Sequence, residues 1–199
     1  MKDAYPDYHA VDLEKRATFL FSKYPIIEYG EIPFGTSTNS CLWADIDLGY
    51  DTIRVYNMHL QSNAVANDSV EVMNNVNLQE KKTWLGIKGI LGKYRASSKV
   101  RARQAQQVKA HAVLSAHPTI ISGDLNDPPT SYTYRKLANG YQDAFIEAGM
   151  GIGTTYAGKI PMLRIDYILV DDHFATNTFE VLKEPFSDHF AVKSTFMLK

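Results

Sequence analysis

The 199-residue chain contains one cysteine, Cys41, which excludes an internal disulfide framework and any zinc site built from several cysteines. No apolar run approaches the roughly 20 residues that a membrane-spanning helix needs, and the start shows no signal peptide. We therefore expect the chain as given to be soluble. Cys41 is expected to be a packed residue, because nothing near it in the sequence marks an activated thiol.

Acidic residues are absent from residues 81–109, although the whole chain has 22 acidic and 21 basic residues. Nine basic residues lie in this segment, so the rest of the chain holds 12 basic and 22 acidic residues, a net charge of −10. A local basic patch can attract polyanions or anionic headgroups. The alternative, which we favour, is the solvated face of a helix.

The apolar pattern predicts a mixed α+β chain. Strands are expected at residues 17–22, 26–32, 42–48, 53–60, 119–122, 165–170, 174–182 and 190–198. Helices are expected at residues 78–91, 100–116, 131–138 and 143–148, with Ser97-Ser98 able to cap the second. The polar residues 63–77 predict a loop or a weak helix. No repeat or linker is found, so one domain over residues 1–199 is expected, a β-sandwich flanked by helices.

Four short polar motifs each abut a β-branched or aromatic run, where a strand is expected to end. They are Asn57-Met58-His59, Gly123-Asp124-Leu125-Asn126, Arg164-Ile165-Asp166-Tyr167 and Ser187-Asp188-His189. Strand ends are places where a rigid scaffold can present side chains to a substrate. Residues two apart on a strand share a face, so each of the first two motifs aims a pair of side chains one way.

The first two motifs suit phosphate-ester chemistry. His59 could protonate a leaving oxygen, and Asn57 could hold a phosphate oxygen or fix a neighbouring side chain. Asp124 beside Asn126 could position water and hold a metal-bound phosphate. For His59 the alternative is a strand-end histidine bonded to a loop carbonyl. For the second motif it is the turn at Asp127-Pro128-Pro129, which does not explain Asp124.

The last two motifs offer a histidine and two carboxylates. Asp166 lies in a predicted strand, and a carboxylate buried there needs a partner, for which Arg164 and a histidine are both candidates. A pair with His189 would fix the tautomer of the imidazole and make a general base. Asp188 could add a metal ligand or a second electrostatic contact, or it could belong to an ordinary junction between loop and strand.

In their order and spacing, the four motifs resemble the endonuclease/exonuclease/phosphatase superfamily, which includes deoxyribonuclease-like nucleases, apurinic endonucleases, sphingomyelinases and inositol-polyphosphate phosphatases. Residues 17–26, Ala-Thr-Phe-Leu-Phe-Ser-Lys-Tyr-Pro-Ile, are similar to that family's strand ending in Ser-Lys/Arg-Tyr-Pro-Ile. Arg101 and Gln104 match a helix signature of the family. The resemblance implies a four-layer α/β/β/α sandwich of two mainly antiparallel sheets that hydrolyses phosphoesters with Mg²⁺ or Mn²⁺.

The resemblance also implies a role for each residue of the motifs. His59 would contact the scissile phosphate, Asp124 would orient or deprotonate the attacking water, and Asp166 would orient His189, the other general acid or base. The metal would lie near Asp124, Asn126 and Asp188. Asn57 and Arg101 are expected to contact the substrate.

The chain departs from the family at its start. The family begins with a strand carrying an asparagine and a strand carrying a metal-binding glutamate, and the sixteen residues before Ala17 contain neither. The resemblance therefore implies the C-terminal portion of a longer, bacterial enzyme, with an incomplete metal site and impaired activity. Its parent could be cytoplasmic or membrane-anchored. The edge of residues 190–198 would be exposed, so self-association, or pairing of this edge with residues 1–16, is expected.

Two alternatives stay open at this point. A non-catalytic binding or scaffold domain could retain the motifs as remnants. If the chain is an enzyme, the phosphoester could be a nucleic acid, a small phosphodiester, a phosphorylated metabolite or a lipid headgroup. A sequence pI of about 6.6, with the basic residues concentrated in one segment, leans away from nucleic acid.

Overall fold

The computed structural model describes residues 7–12, 18–35, 39–63, 81–158 and 162–199. Its strands are β1 (His9–Asp12), β2 (Phe19–Ser22), β3 (Ile26–Pro33), β4 (Ser40–Asp47), β5 (Thr52–His59), β6 (Thr119–Asp124), β7 (Gln142–Asp143), β8 (Asp166–Val170), β9 (Phe174–Leu182) and β10 (Ala191–Leu198). Its helices are α1 (Lys81–Ala112), α2 (Tyr132–Ala138) and α3 (Ala144–Ala148). Among these helices, none combines the length and apolar character needed to cross a membrane.

A six-stranded sheet with the order β3-β4-β5-β6-β8-β7 forms the centre of the fold. Its neighbouring strands are antiparallel except β5 and β6, which are parallel. Parallel neighbours need a long crossover connection, and α1 lies in the one between β5 and β6. The predicted hairpin of residues 42–48 and 53–60 is confirmed as β4 and β5.

The alternation of side chains along the central strands builds a core on each face of this sheet. Tyr56 and Met58 of β5 pack in one cluster with Ala105 and Val108 of α1 and Leu137 of α2. On the opposite face, a second cluster joins residues of β4, β5 and β8 to the two-stranded sheets β1-β2 and β9-β10. Its fully or nearly buried members are Val11, Leu20, Leu42, Ala44, Ile46, Ile53, Val170 and Phe174. The expected α+β sandwich is therefore confirmed.

Helix α1 corrects the prediction of two helices at residues 78–91 and 100–116. It runs without interruption from Lys81 to Ala112, and Ser97-Ser98 lies inside it instead of capping a second helix. Tyr94, Arg101 and Val108 recur every seven residues and keep one stripe turned inward. Burial of this stripe outweighs the weak helix preference of serine. Residues 64–80, including the predicted loop and Glu80, lie outside the described residues.

The N-terminal strand does not pair with the edge at residues 190–198, which was one of the two outcomes expected for that edge. β1 pairs with β2 in antiparallel fashion, with His9 opposite Ser22, so residues 9–12 do not fill the edge of β10. Within the described ranges, β10 has a single strand neighbour, β9. Self-association through this edge stays a prediction. Cys41 is fully buried, and burial raises the pKa of its thiol, as expected for a packing residue.

Gly123 near the end of β6 lies against the backbone of β5. Its φ of 130° is rare for residues with a side chain, and an added Cβ would overlap the carbonyl oxygen of Met58. We expect Gly123→Ala to destabilise the protein by about 3 kcal/mol or more, because the backbone of β5 would have to move. Urea unfolding followed by circular dichroism measures the effect.

The matched control is Gly89→Ala in α1, where an added Cβ meets nothing within 4 Å. This change should leave stability unchanged or raise it by about 0.5–1 kcal/mol, since alanine is the better helix former. Equal effects of the two substitutions would contradict the close approach at Gly123.

Candidate active site

The register of three neighbouring strands brings the first catalytic candidates together. His59, the last residue of β5, lies opposite Asp124, the last residue of β6. Asp124 in turn lies opposite Asp166, the first residue of β8. Backbone hydrogen bonds continue this pairing just beyond the strands, since Leu60 N donates to Asp124 O and Leu125 N donates to Ile165 O, each at 2.9 Å. The three side chains therefore share one edge of the sheet.

His189 joins this edge through Asp166. The Nδ1 atom of His189 lies 2.9 Å from Asp166 Oδ2 and 3.2 Å from Oδ1, and because a carboxylate only accepts, Nδ1 is the donor. The hydrogen bond to Asp166 raises the pKa of His189, against a smaller opposing effect of burial. Arg164, the alternative partner of Asp166, instead donates to Asp143 at 2.7 Å. The backbone of His189 is held by a β-bridge to Tyr156.

Asp124 and Asn126 form a tight turn after β6. Asp124 Oδ1 accepts from the backbone N–H of Asn126 at 2.7 Å, and Asn126 Nδ2 donates to Asp124 Oδ2 at 2.8 Å. Asn126 has a φ of 53°, a left-handed conformation that asparagine tolerates better than most residues. Burial raises the pKa of Asp124 to about 7, and the nearby charge of Asp166 contributes in the same direction.

His59 has the opposite electrostatic shift from His189. Its Nε2 atom lies 3.6 Å from Asp124 Oδ2 and 3.3 Å from Ser62 Oγ. Burial lowers the pKa of His59, and the charge of His189 lowers it further. Near neutral pH the site therefore holds one histidine that favours the neutral form and one that favours the cation, an arrangement suited to acid–base chemistry.

A metal ion fits this edge. Ligand atoms of Asp124, Asp166 and His189 lie within 4.8 Å of one another. The raised pKa of Asp124 reports a buried carboxylate facing a second carboxylate, and a divalent cation would relieve that repulsion. This set differs from the predicted one of Asp124, Asn126 and Asp188. Asp188 is exposed at the rim, where it accepts a hydrogen bond from Ser187 at 3.3 Å.

A pocket of about 860 Å³ opens over these residues. It is lined by seven of the eight predicted site residues: Asn57, His59, Asp124, Asn126, Asp166, Asp188 and His189. Asn57 donates through Nδ2 to the carbonyl of Phe19 at 2.8 Å. The individual roles of these residues stay predictions.

Arg101 is the exception, and its expected contact with substrate is wrong. Its side chain is fully buried and forms an ion pair of 2.7 Å with Asp127, whose side chain is also fully buried. The guanidinium also donates to Gln61 O at 3.0 Å and to Asn63 Oδ1 at 2.8 Å. Arg101 thus ties the loop after His59 to the loop after Asn126, and it acts on the site through these loops.

Sequence reasoning missed several residues that line the pocket: Ser62, Asn63, Ile90, Leu91, Tyr94, Tyr156 and Leu163. Ile90 and Leu91 lay in the predicted helix of residues 78–91, but nothing indicated that they border the pocket, and Tyr94 fell between the two predicted helices. For Tyr156 and Leu163 the sequence carries no signal, because a loop brings them to the site.

We predict that Arg101→Met lowers the free energy of unfolding by about 3–5 kcal/mol, because it leaves the buried Asp127 carboxylate without its cation. Urea unfolding followed by circular dichroism measures this. Arg103→Met, an exposed basic residue on the same helix, should change stability by less than about 0.5 kcal/mol. An Arg101 variant as stable as the Arg103 variant would show that the ion pair does not hold the loops.

Asp124 generates a prediction about pH. Because its folded pKa of about 7 lies above its ordinary value of 3.8, the folded protein binds the extra proton between these values, and stability falls as pH rises. Asp124→Asn removes this loss. In EDTA, the free energy of unfolding of Asp124→Asn minus that of the unsubstituted protein should therefore increase from pH 4 to pH 8, by at most on the order of 4 kcal/mol.

The control for this pH dependence is Asp172→Asn, since the Asp172 side chain is 91% exposed. Its unfolding free energy should follow that of the parent protein at every pH. A constant offset between Asp124→Asn and the parent over the whole range would contradict the raised pKa of Asp124.

The chain matches the profile of the Endonuclease/Exonuclease/phosphatase family over residues 4–189. No curated protein matches it. The solved structures that resemble it include the following three. A mannosyl-6-phosphatase of Bacteroides thetaiotaomicron has a TM-score of 0.65 and 17% identity, covering 99% of this chain and 79% of its own. The human Nocturnin catalytic domain with bound sulfate has a TM-score of 0.67 and 13% identity, covering 98% and 74%.

The third is TDP2 of D. rerio complexed with a single-stranded DNA product, with a TM-score of 0.64 and 15% identity, covering 98% of this chain and 79% of its own. At these identities the structural likeness shows the fold, and the family profile, which spans most of the sequence, shows the family. The chain belongs to the Endonuclease/Exonuclease/phosphatase family.

Proposed function

We propose that this protein hydrolyses phosphoesters with the help of a divalent cation, using His59, Asp124, Asp166 and His189. The observation that carries the proposal is the hydrogen bond of 2.9 Å between His189 and Asp166, beside a buried carboxylate and a second histidine of opposite pKa shift. A carboxylate-oriented imidazole facing an open pocket is the arrangement of a general acid–base residue.

Asp124 is the proposed acceptor for the proton of the attacking water. In the metal-free site, burial raises the pKa of Asp124, so its carboxylate accepts a proton more readily than an ordinary aspartate does. The turn at Asn126 holds the carboxylate through both of its oxygens. The water's O–H bond breaks as its oxygen attacks phosphorus, and the proton passes to Asp124.

His189 is the proposed acid at the leaving oxygen. Its Nδ1–H is used by Asp166, so Nε2 is the ring atom available to a substrate. The raised pKa keeps the imidazolium populated near neutral pH, which stabilises negative charge and supplies a proton. His59, whose lowered pKa favours the neutral ring, contacts a phosphoryl oxygen by hydrogen bonding.

Mg²⁺ or Mn²⁺ would be held by the carboxylates of Asp124 and Asp166, which belong to one cluster of possible ligands, with the amide of Asn126 nearby. When bound, the cation supplies positive charge that stabilises the phosphoryl oxygens. Asn57 fixes the floor of the pocket through its bond to Phe19.

The proposal predicts hydrolysis of bis(p-nitrophenyl) phosphate or p-nitrophenyl phosphate in Mn²⁺ or Mg²⁺, and loss of hydrolysis in EDTA. His189→Gln should lower kcat by about 10²–10⁴-fold, as expected for loss of a general acid. The matched control is His173→Gln, because His173 forms a similar pair with Asp171 at 3.1 Å but lines no part of this pocket. Its kcat should stay within about twofold of the parent.

The pH profile separates the acid role from a structural one. If His189 donates a proton, the rate falls as pH rises through its raised pKa. Asp166→Asn removes the carboxylate that raises the pKa of His189. The decrease in rate should therefore occur at a lower pH in this variant. If the unsubstituted chain is folded but hydrolyses neither ester with either cation, the proposal is rejected and a non-catalytic binding domain is favoured.

A further inference from the structure

The mouth of the pocket has an apolar wall on the first half of α1. Ile90, Leu91 and Tyr94 line the pocket there. Leu91 both lines the pocket and leaves 61% of its surface open to water. A leucine in this position exposes apolar area at the entrance to a site whose floor is made of carboxylates and imidazoles.

Two other large apolar side chains are exposed close in sequence to residues that line the pocket. Met162, 65% exposed, directly precedes Leu163, which lines the pocket. Phe186, 88% exposed, stands two residues before Asp188, which also lines it. Isolated exposed apolar residues are ordinary, but three large ones that line one pocket or lie within two residues of its lining point to a surface for binding.

Positive charge accompanies this apolar rim. At 100° per residue, Lys88, Arg95 and Lys99 fall within about 80° of Leu91 around the axis of α1, and all three are exposed. Residues 81–109 contain no acidic side chain, whereas the rest of the chain is strongly acidic. An apolar stripe flanked by a basic stripe is typical of helices that lie in the headgroup region of a bilayer.

We infer that this mouth docks on an anionic lipid surface, with Leu91, Met162 and Phe186 entering the interface and Lys88, Arg95 and Lys99 contacting acidic headgroups. Docking would present a phosphate headgroup to the pocket. The identity of the group that enters rests on the proposed phosphoester hydrolysis, whereas docking itself does not.

Nucleic acid would also meet a basic helix, but the pocket suits it less well. Among the described residues that line the pocket, none is lysine or arginine, whereas nucleic-acid enzymes place such residues along the cleft. Tyr94 and Phe186 have rings that could stack on bases, but Leu91 and Met162 can neither stack nor pair with phosphates. Their aliphatic surface is stabilised by burial among acyl chains.

Sedimentation with vesicles tests the inference. We expect the whole chain to bind vesicles of phosphatidylcholine mixed with phosphatidylserine, and to bind phosphatidylcholine alone more weakly. Phe186→Ser and Leu91→Ser should each weaken binding about tenfold, through lost apolar burial. Lys88→Gln combined with Arg95→Gln should reduce the dependence of binding on salt.

The matched control is Leu114→Ser, since Leu114 is 83% exposed just beyond the other end of α1. It should bind vesicles like the parent, and circular dichroism should show that all the variants stay folded. No vesicle binding by the parent, or equal loss in the Leu114 variant, would overturn the inference. So would binding to a single-stranded oligonucleotide that excludes vesicle binding.

Hydrolysis of soluble bis(p-nitrophenyl) phosphate distinguishes this inference from the proposed function. A parent protein that cleaves the soluble ester but ignores vesicles overturns only the docking surface. Vesicle binding that depends on Phe186, in a protein that cleaves no ester, supports the docking surface and rejects the hydrolase. Phe186→Ser should cleave the soluble ester at the rate of the parent, because Phe186 does not line the pocket.

Discussion

The pairing of β6 with its two neighbours is the constraint on which the site depends. Parallel pairing with β5 sets His59 beside Asp124, and antiparallel pairing with β8 sets Asp166 on the other side. A slip of one residue in either pairing would turn a whole strand over, moving its core side chains to the wrong face. The same burial of Tyr56, Ile121 and Tyr167 that stabilises the sheet therefore also fixes the three catalytic candidates in place.

The fold treats its inner carboxylates in two different ways. Asp127 and Asp143 belong to the scaffold, and each is neutralised by a buried arginine, Arg101 and Arg164 respectively. Asp124 and Asp166 face the pocket, where their near partners are histidines. Two arginines, which are always charged, thus pair with scaffold carboxylates. The carboxylates of the site are left with histidines, whose charge depends on pH. Burial and the nearby charge of Asp166 raise the pKa of Asp124, and they make a bound divalent cation favourable there.

Much of the site could be predicted from sequence because its residues lie at strand ends that the apolar pattern marks. His59, Asp124 and Asp166 close or open their strands, so locating each strand located each side chain. Register and burial could not be predicted in this way. Nothing in the sequence tells that Arg164 turns to Asp143, leaving Asp166 to His189, or that Arg101 is buried. The continuity of α1 through Ser97-Ser98 could not be predicted either, because tertiary packing outweighs the weak helix preference of serine.

Helix α1 both helps to position the catalytic candidates and supplies the apolar wall at the mouth of the pocket. Its second half packs Ala105, Val108 and Ala112 against the central sheet, and Arg101 near its middle clamps the two loops that follow His59 and Asn126. Because the helix is continuous, anchoring its second half also fixes the first half, which carries Ile90 and Leu91. The apolar wall is thus held by the same buried contacts that position the site. The proposed hydrolysis and the inferred docking together describe a substrate with an anionic group that enters the pocket and a portion that packs against an aliphatic rim.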